Sequence, residues 1–184
     1  MGYTVINTES GRVIYSSHLD KDESVLSRLT SEESIIDEEA FHLPAYWDGV
    51  NFIPIGFPPG PFWEFNYTLK EWEDVTPLYV VRKDKWKLIK DERDVLESSG
   101  FEYKGVIFDS DANSQTKLLN FITMGLPVTW TLKDNSTIDL TVEDLNALKG
   151  VLANHITSLH ERSRIAREKI EQATTKEEVM AVTL

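Results

Sequence analysis

The residues best suited by type and spacing to hold a metal ion are Asp109-Ser110-Asp111-Ala112-Asn113, which begin like the calcium loop of a helix-loop-helix site. Such a loop needs a glycine at its sixth position for the sharp turn and a bidentate glutamate at its twelfth. Here those positions hold Ser114 and Asn120, so the run reads instead as the cap of a helix. An aspartate in that place accepts a hydrogen bond from a free first-turn N–H, and its charge suits the positive end of the helix dipole. His155 and His160 stand five residues apart, whereas a zinc pair on one helix face requires a spacing of four. His155 borders an apolar stripe and is expected to be packed or half-buried, while His18 and His42 have no ligand-like neighbours. No serine lies in a nucleophile-elbow context, and no glycine-rich loop separates a strand from a helix, so acyl and nucleotide chemistry lack their usual apparatus. Two carboxylates that converge in space would suffice to cleave a glycan. In a chain with 31 acidic residues, however, their abundance has no diagnostic value. The expectation is a protein without catalytic residues, cofactor or metal.

Composition narrows the classes further. A chain of 184 residues that is 41% hydrophobic can bury a core in one domain or two small ones. A formal charge of −12 opposes binding to a polyanion over most of the surface, so no nucleic-acid partner is expected. Absence of cysteine rules out disulfides and thiolate metal sites and fits a reducing cytoplasm. The first residues lack the basic start and sustained apolar run of a signal peptide. No apolar stretch approaches the roughly 20 residues that would cross a bilayer as a helix, so no membrane partner is expected.

The elements that must position any functional residue follow from periodicity and punctuation. Tyr3–Ile6 and Arg12–Tyr15 flank a glycine-containing loop and predict a hairpin. Asp22-Glu23 opens a short helix through Leu29, and the acidic clusters around Ile35-Ile36 read as a solvated face. Tyr46 to Phe52 reads as strand, Asp-Gly turn and strand. The chain is therefore divided into a β-rich module over 1–53, a stiff Pro/Gly linker over 54–61, an aromatic hairpin over 62–75 and a C-terminal domain over 76–184. In that last part, Thr76 is expected to cap a helix with Pro77 at its first position, running to about Ser98. Its Arg82, Lys83, Lys85, Lys87, Lys90 and Arg93 form a basic band expected to meet the chain's own carboxylates or a neighbouring subunit. Hairpins at Phe101–Phe108 and Val128–Leu140 enclose a helix that stops at Gly125. Thr141 and Asp144 have capping-box spacing and open a helix reaching about Ala173, followed by a short helix capped at Thr174-Thr175. The outer half of the long helix could project as a solvated arm or as a thin coiled-coil seam through Ala166, Ile170 and Ala173. The fold class is α+β: β-hairpins in an N-terminal module, then hairpins packed on long helices with an extended C-terminal helix.

Phe62, Trp63, Phe65, Tyr67 and Trp72 crowd the aromatic hairpin. A two-stranded unit is marginal by itself in water, so these rings either pack on the chain's own core or wait for a partner subunit. They are the candidate partner-binding residues.

Trp86–Arg93, the run from Gly100-Phe101 through Phe108-Asp109-Ser110-Asp111 to Gln115, and Trp130-Thr-Leu-Lys-Asp134 together resemble a domain of unknown function. That domain recurs in the C-terminal part of phage tail-fibre assembly proteins and related tail-fibre components. Pro58–Asp74 is similar to the aromatic hairpin that commonly precedes it, and Ile170–Val179 resembles its closing helix pair. The resemblance covers about the last two thirds of the chain and transfers no catalytic motif. It implies a factor that binds the phage tail-fibre polypeptide non-covalently, shielding apolar surface until the fibre oligomerises and so supporting host attachment. The alternative it implies is a permanent structural part of the virion tail appendage, with homo-oligomerisation through the C-terminal helix. The location implied is the cytoplasm of the infected bacterium during assembly, or the virion tail if the protein is retained.

Overall fold

β1 (Tyr3–Asn7) is flanked by β2 (Val13–Ser17) and by β3 (Glu33–Ile36), all antiparallel, in a three-stranded sheet of order β2-β1-β3. As the central strand, β1 buries Tyr3, Thr4, Val5 and Ile6. The buried Thr4 hydroxyl is satisfied, donating to Glu38 O at 2.7 Å and accepting from the Ala40 N–H at 2.9 Å. Between the acidic clusters expected as a solvated face, of which Glu32, Asp37 and Glu38 are exposed, Ile35 and Ile36 form a strand, because pairing of Thr4 with Ile36 and Val5 with Ile35 supplies a ladder that local sequence does not reveal. Helix α1 (Glu23–Arg28) is capped by Asp22, whose carboxylate accepts from Val25 N.

This computed structural model describes residues 2–184, which divide into one unit reaching Thr76 and another over Pro77–Leu184. The first unit continues with two hairpins, β4 (Ala45–Trp47) with β5 (Phe52–Pro54) and β6 (Trp63–Asn66) with β7 (Glu71–Asp74). Gly11 joins the first hairpin to β4: its carbonyl accepts from Trp47 N at 2.8 Å.

The second unit is built on two long helices. α2 (Leu78–Ser98) starts one residue later than expected, with Pro77 as the residue before the helix and no side-chain cap. Thr76 stands one position before the cap, and both its N–H and its hydroxyl donate back to Asp74 Oδ1. β8 (Phe101–Tyr103) and β9 (Val106–Phe108) form the next hairpin, and α3 (Ala112–Met124) ends at Gly125 in the left-handed conformation. β10 (Val128–Thr131) and β11 (Thr137–Leu140) pair before α4 (Val142–Gln172) and α5 (Lys176–Ala181) close the chain. Both Thr141 and Thr175 make complete capping boxes.

α4, roughly 45 Å long at about 1.5 Å per residue, serves two cores. Its first half buries Leu145, Leu148 and Leu152 with Phe101, Phe108, Leu118, Trp130, Leu132 and Leu140. Its second half buries Ala166 and Ile170, with Ala173 beyond its end, against Ile89 of α2 and Val179 and Val182 at the C terminus. The stretch expected to project as an arm or seam is therefore covered along that stripe by α2 and α5, while Arg164 and Arg167 pair on the exposed side with Glu161, Glu168 and Glu171.

Candidate functional site

The β6–β7 register places Phe65 opposite Trp72 and Asn66 opposite Glu71. Period-two alternation then gathers the rings on one face. Phe65 lies at the centre: its ring stacks on Tyr46 at 5.9 Å and meets Tyr67 at 5.1 Å and Trp72 at 5.5 Å edge to face. Trp72 Nε1 donates to Ile55 O at 3.3 Å, which ties the hairpin to the Pro/Gly stretch. Lys70, held at φ 61° in the turn, donates to Ser10 O and sets its ammonium 4.4 Å from the Tyr46 ring centroid. Partial burial pulls this lysine below its ordinary pKa. Arg12 covers Tyr67 at 5.2 Å.

Of the five candidate residues, Phe65, Tyr67 and Trp72 are therefore half-buried in ring contacts with their own unit, and Phe62 is half-buried as well. Trp63 remains exposed at 37%. Four aromatic residues outside the candidate set are more open: Phe57 at 96%, Phe41 at 79%, Tyr79 at 68% and Tyr15 at 42%. Phe57 lies within the Pro/Gly stretch, where Gly56, Pro58 and Pro59 prevent helix or ladder formation and so deny the ring a regular packing face. A bulky ring inside such a segment was the available signal. Tyr46 and Arg12, which close over the hairpin, gave none, because they come from elements distant in sequence.

The basic band of α2 meets carbonyls more than carboxylates. Arg82 Nη2 donates to Ala173 O at 2.6 Å and Lys85 Nζ to Met180 O at 3.0 Å, at the ends of α4 and α5, where helix dipoles are negative. Arg93 pairs with its neighbour Asp94 at 2.6 Å, and Lys83 and Lys87 are exposed.

The residues weighed for metal chemistry are structural or separate. Asp111 caps α3, accepting from Asn113 N at 2.9 Å and Ser114 N at 3.1 Å, and the Ser114 hydroxyl bond holds its carboxyl below the usual range. His155 is half-buried 6.2 Å from the Phe101 ring, its Nε2 enclosed without a hydrogen-bond partner. His160 lies instead beside Glu97 at 3.5 Å. Among the described residues no group of three or more His, Asp or Glu is placed to hold a metal ion, and no helix is long and apolar enough to cross a membrane.

Residues 80–183 match the family described as a domain of unknown function, DUF4376. No curated protein and no solved structure matches the chain.

Proposed function

The chain belongs to the DUF4376 family, and from that premise we propose that it is a non-enzymatic phage protein that binds the tail-fibre polypeptide during tail-fibre assembly and so supports host attachment. The resemblance of its aromatic hairpin and helical domain to tail-fibre assembly proteins supplies the partner. The observation that carries the reading is the exposure of Phe57, a large ring standing almost wholly in water in a stretch stiffened by three prolines and two glycines between residues 56 and 61. Such a ring loses little conformational freedom when a partner covers it, and aromatic anchors of this kind dominate interface energies. Trp63 and Phe41 add exposed aromatic area to the same unit. The rings of Phe65, Tyr67 and Trp72 support the hairpin instead of contacting the partner directly.

Co-expression with a phage tail-fibre polypeptide, followed by co-purification and sizing, tests the reading. A complex is expected, and Phe57→Asp together with Trp63→Asp should abolish it while leaving the far-ultraviolet circular dichroism unchanged. An undiminished complex with the double variant would place the contact surface elsewhere, and no complex with the unaltered chain would end the proposal.

A further inference from the structure

A groove of about 330 Å³ lies between α3 and β10, within the range of small-ligand sites. Ser114, Lys117 and Phe121 line it from α3 at spacings of three and four, which set them on one helix face. Gly125-Leu126-Pro127 joins α3 to β10. Val128 lines the groove on the strand that carries Trp130, and the Lys133 N–H, donating to Ile107 O at 3.2 Å, brings the β10–β11 turn with Asn135 to the β9 side, where Asp109 follows. The groove is apolar at one end and polar at the other. Phe121 and Trp130 meet edge to face at 6.1 Å and form its aromatic wall.

Its polar groups divide into two sorts. Ser114 Oγ donates to Asp111 Oδ2 at 2.6 Å, and Lys133 Nζ donates to Ser99 O, so both are occupied within the fold. Asp109 is half-buried, yet among the described residues its carboxylate makes no hydrogen bond or ion pair, and neither do the Lys117 ammonium and the Asn135 side-chain amide. A half-buried carboxylate with no donor from its own chain is free to take a charge-assisted hydrogen bond from a ligand's cation.

We propose that this groove binds a free α-amino acid with an aromatic or branched apolar side chain. The side chain rests on Phe121, Val128 and Trp130; the α-ammonium pairs with Asp109; the α-carboxylate pairs with Lys117, whose long stem gives it reach. Neither an uncharged apolar ligand nor a simple anion uses both charges. The site does not depend on the tail-fibre reading.

Titration of the isotope-labelled full-length chain with L-phenylalanine, followed by NMR at the Trp130 indole N–H, tests it. Saturable movement of that signal is expected. N-acetyl-L-phenylalanine, which lacks the ammonium, and L-phenylalaninamide, which lacks the carboxylate, should each bind about tenfold or more weakly, as loss of one charge-assisted hydrogen bond implies. Asp109→Asn should remove the discrimination against the N-acetyl compound. Because the comparison of three ligands needs only the unaltered chain, it decides the matter even if that variant fails to fold. An unmoved indole signal, or equal binding of phenylalanine and its N-acetyl form, overturns the proposal, and equal binding of the amide overturns the role of Lys117.

Discussion

Arg82 on α2 reaches Ala173, the residue that ends α4, donating from Nη2 to its carbonyl oxygen at 2.6 Å. That carbonyl lies at the negative end of α4, and the bond pins the helix where α5 turns back on it. Arg82→Ala should lower the stability of the second unit by about 1–3 kcal/mol, the range for a hydrogen bond to a charged group. Arg82→Lys should cost less, since it keeps a cation near the carbonyl and removes a buried Nε that has no partner. Urea unfolding of the three proteins measures this, and equal midpoints for Ala and wild type would show that the bond contributes nothing.

Asp144 closes the capping box of α4 and also accepts from Lys104 and from the Tyr103 hydroxyl, the latter at 3.1 Å. The Lys104 bond, then the Thr141 bonds, hold its carboxyl far below the ordinary aspartate value. A carboxyl more acidic in the folded chain than in the unfolded one stabilises the fold fully above the unfolded value of about 4, and the contribution fades as pH falls below it. Wild type should therefore lose urea resistance more steeply than Asp144→Asn between neutral pH and pH values below about 4, so that the two curves converge in acid. Parallel curves would mean that the bonds around Asp144 do not discriminate its charge states.

The second unit was legible wherever local chemistry and tertiary packing agree. Thr141 with Asp144, Asp111 ahead of α3, and Gly125 after it mark helix ends by hydrogen bonds made within a few residues. β3 was not legible, because Glu32, Glu33 and Asp37 look solvated until β1, nearly thirty residues earlier, supplies the ladder. The aromatic hairpin shows the same limit at the candidate site: composition revealed the cluster of rings, but which of them faces inward depends on Tyr46 and Lys70.

That division makes Phe65 and Trp63 respond differently to truncation. Phe65→Ala removes three ring contacts and should destabilise the first unit by about 1–3 kcal/mol. Trp63→Ala should change stability by no more than about 0.5 kcal/mol, yet weaken capture of the fibre polypeptide. Unfolding followed by near-ultraviolet circular dichroism separates the two, and a larger loss for Trp63 would invert the assignment of inner and outer rings.

A last prediction concerns a residue with no sequence signal. Ser110 is fully buried, and its hydroxyl donates to Glu97 O while accepting the Gly100 N–H at 2.8 Å. One oxygen thereby satisfies the last turn of α2 and the glycine that turns into β8. Gly100 holds φ at +105°, and a Cβ there would stand 2.8 Å from Phe108 O, so the connection has little room to rearrange. Ser110→Ala leaves a donor and an acceptor unpaired and should cost about 1–3 kcal/mol. Ser98→Ala is the control, because the Ser98 hydroxyl is exposed and bonds only carbonyls of its own helix; it should cost no more than about 0.5 kcal/mol. Equal unfolding midpoints for the two alanine variants would show that the buried hydroxyl is not what joins α2 to the hairpin.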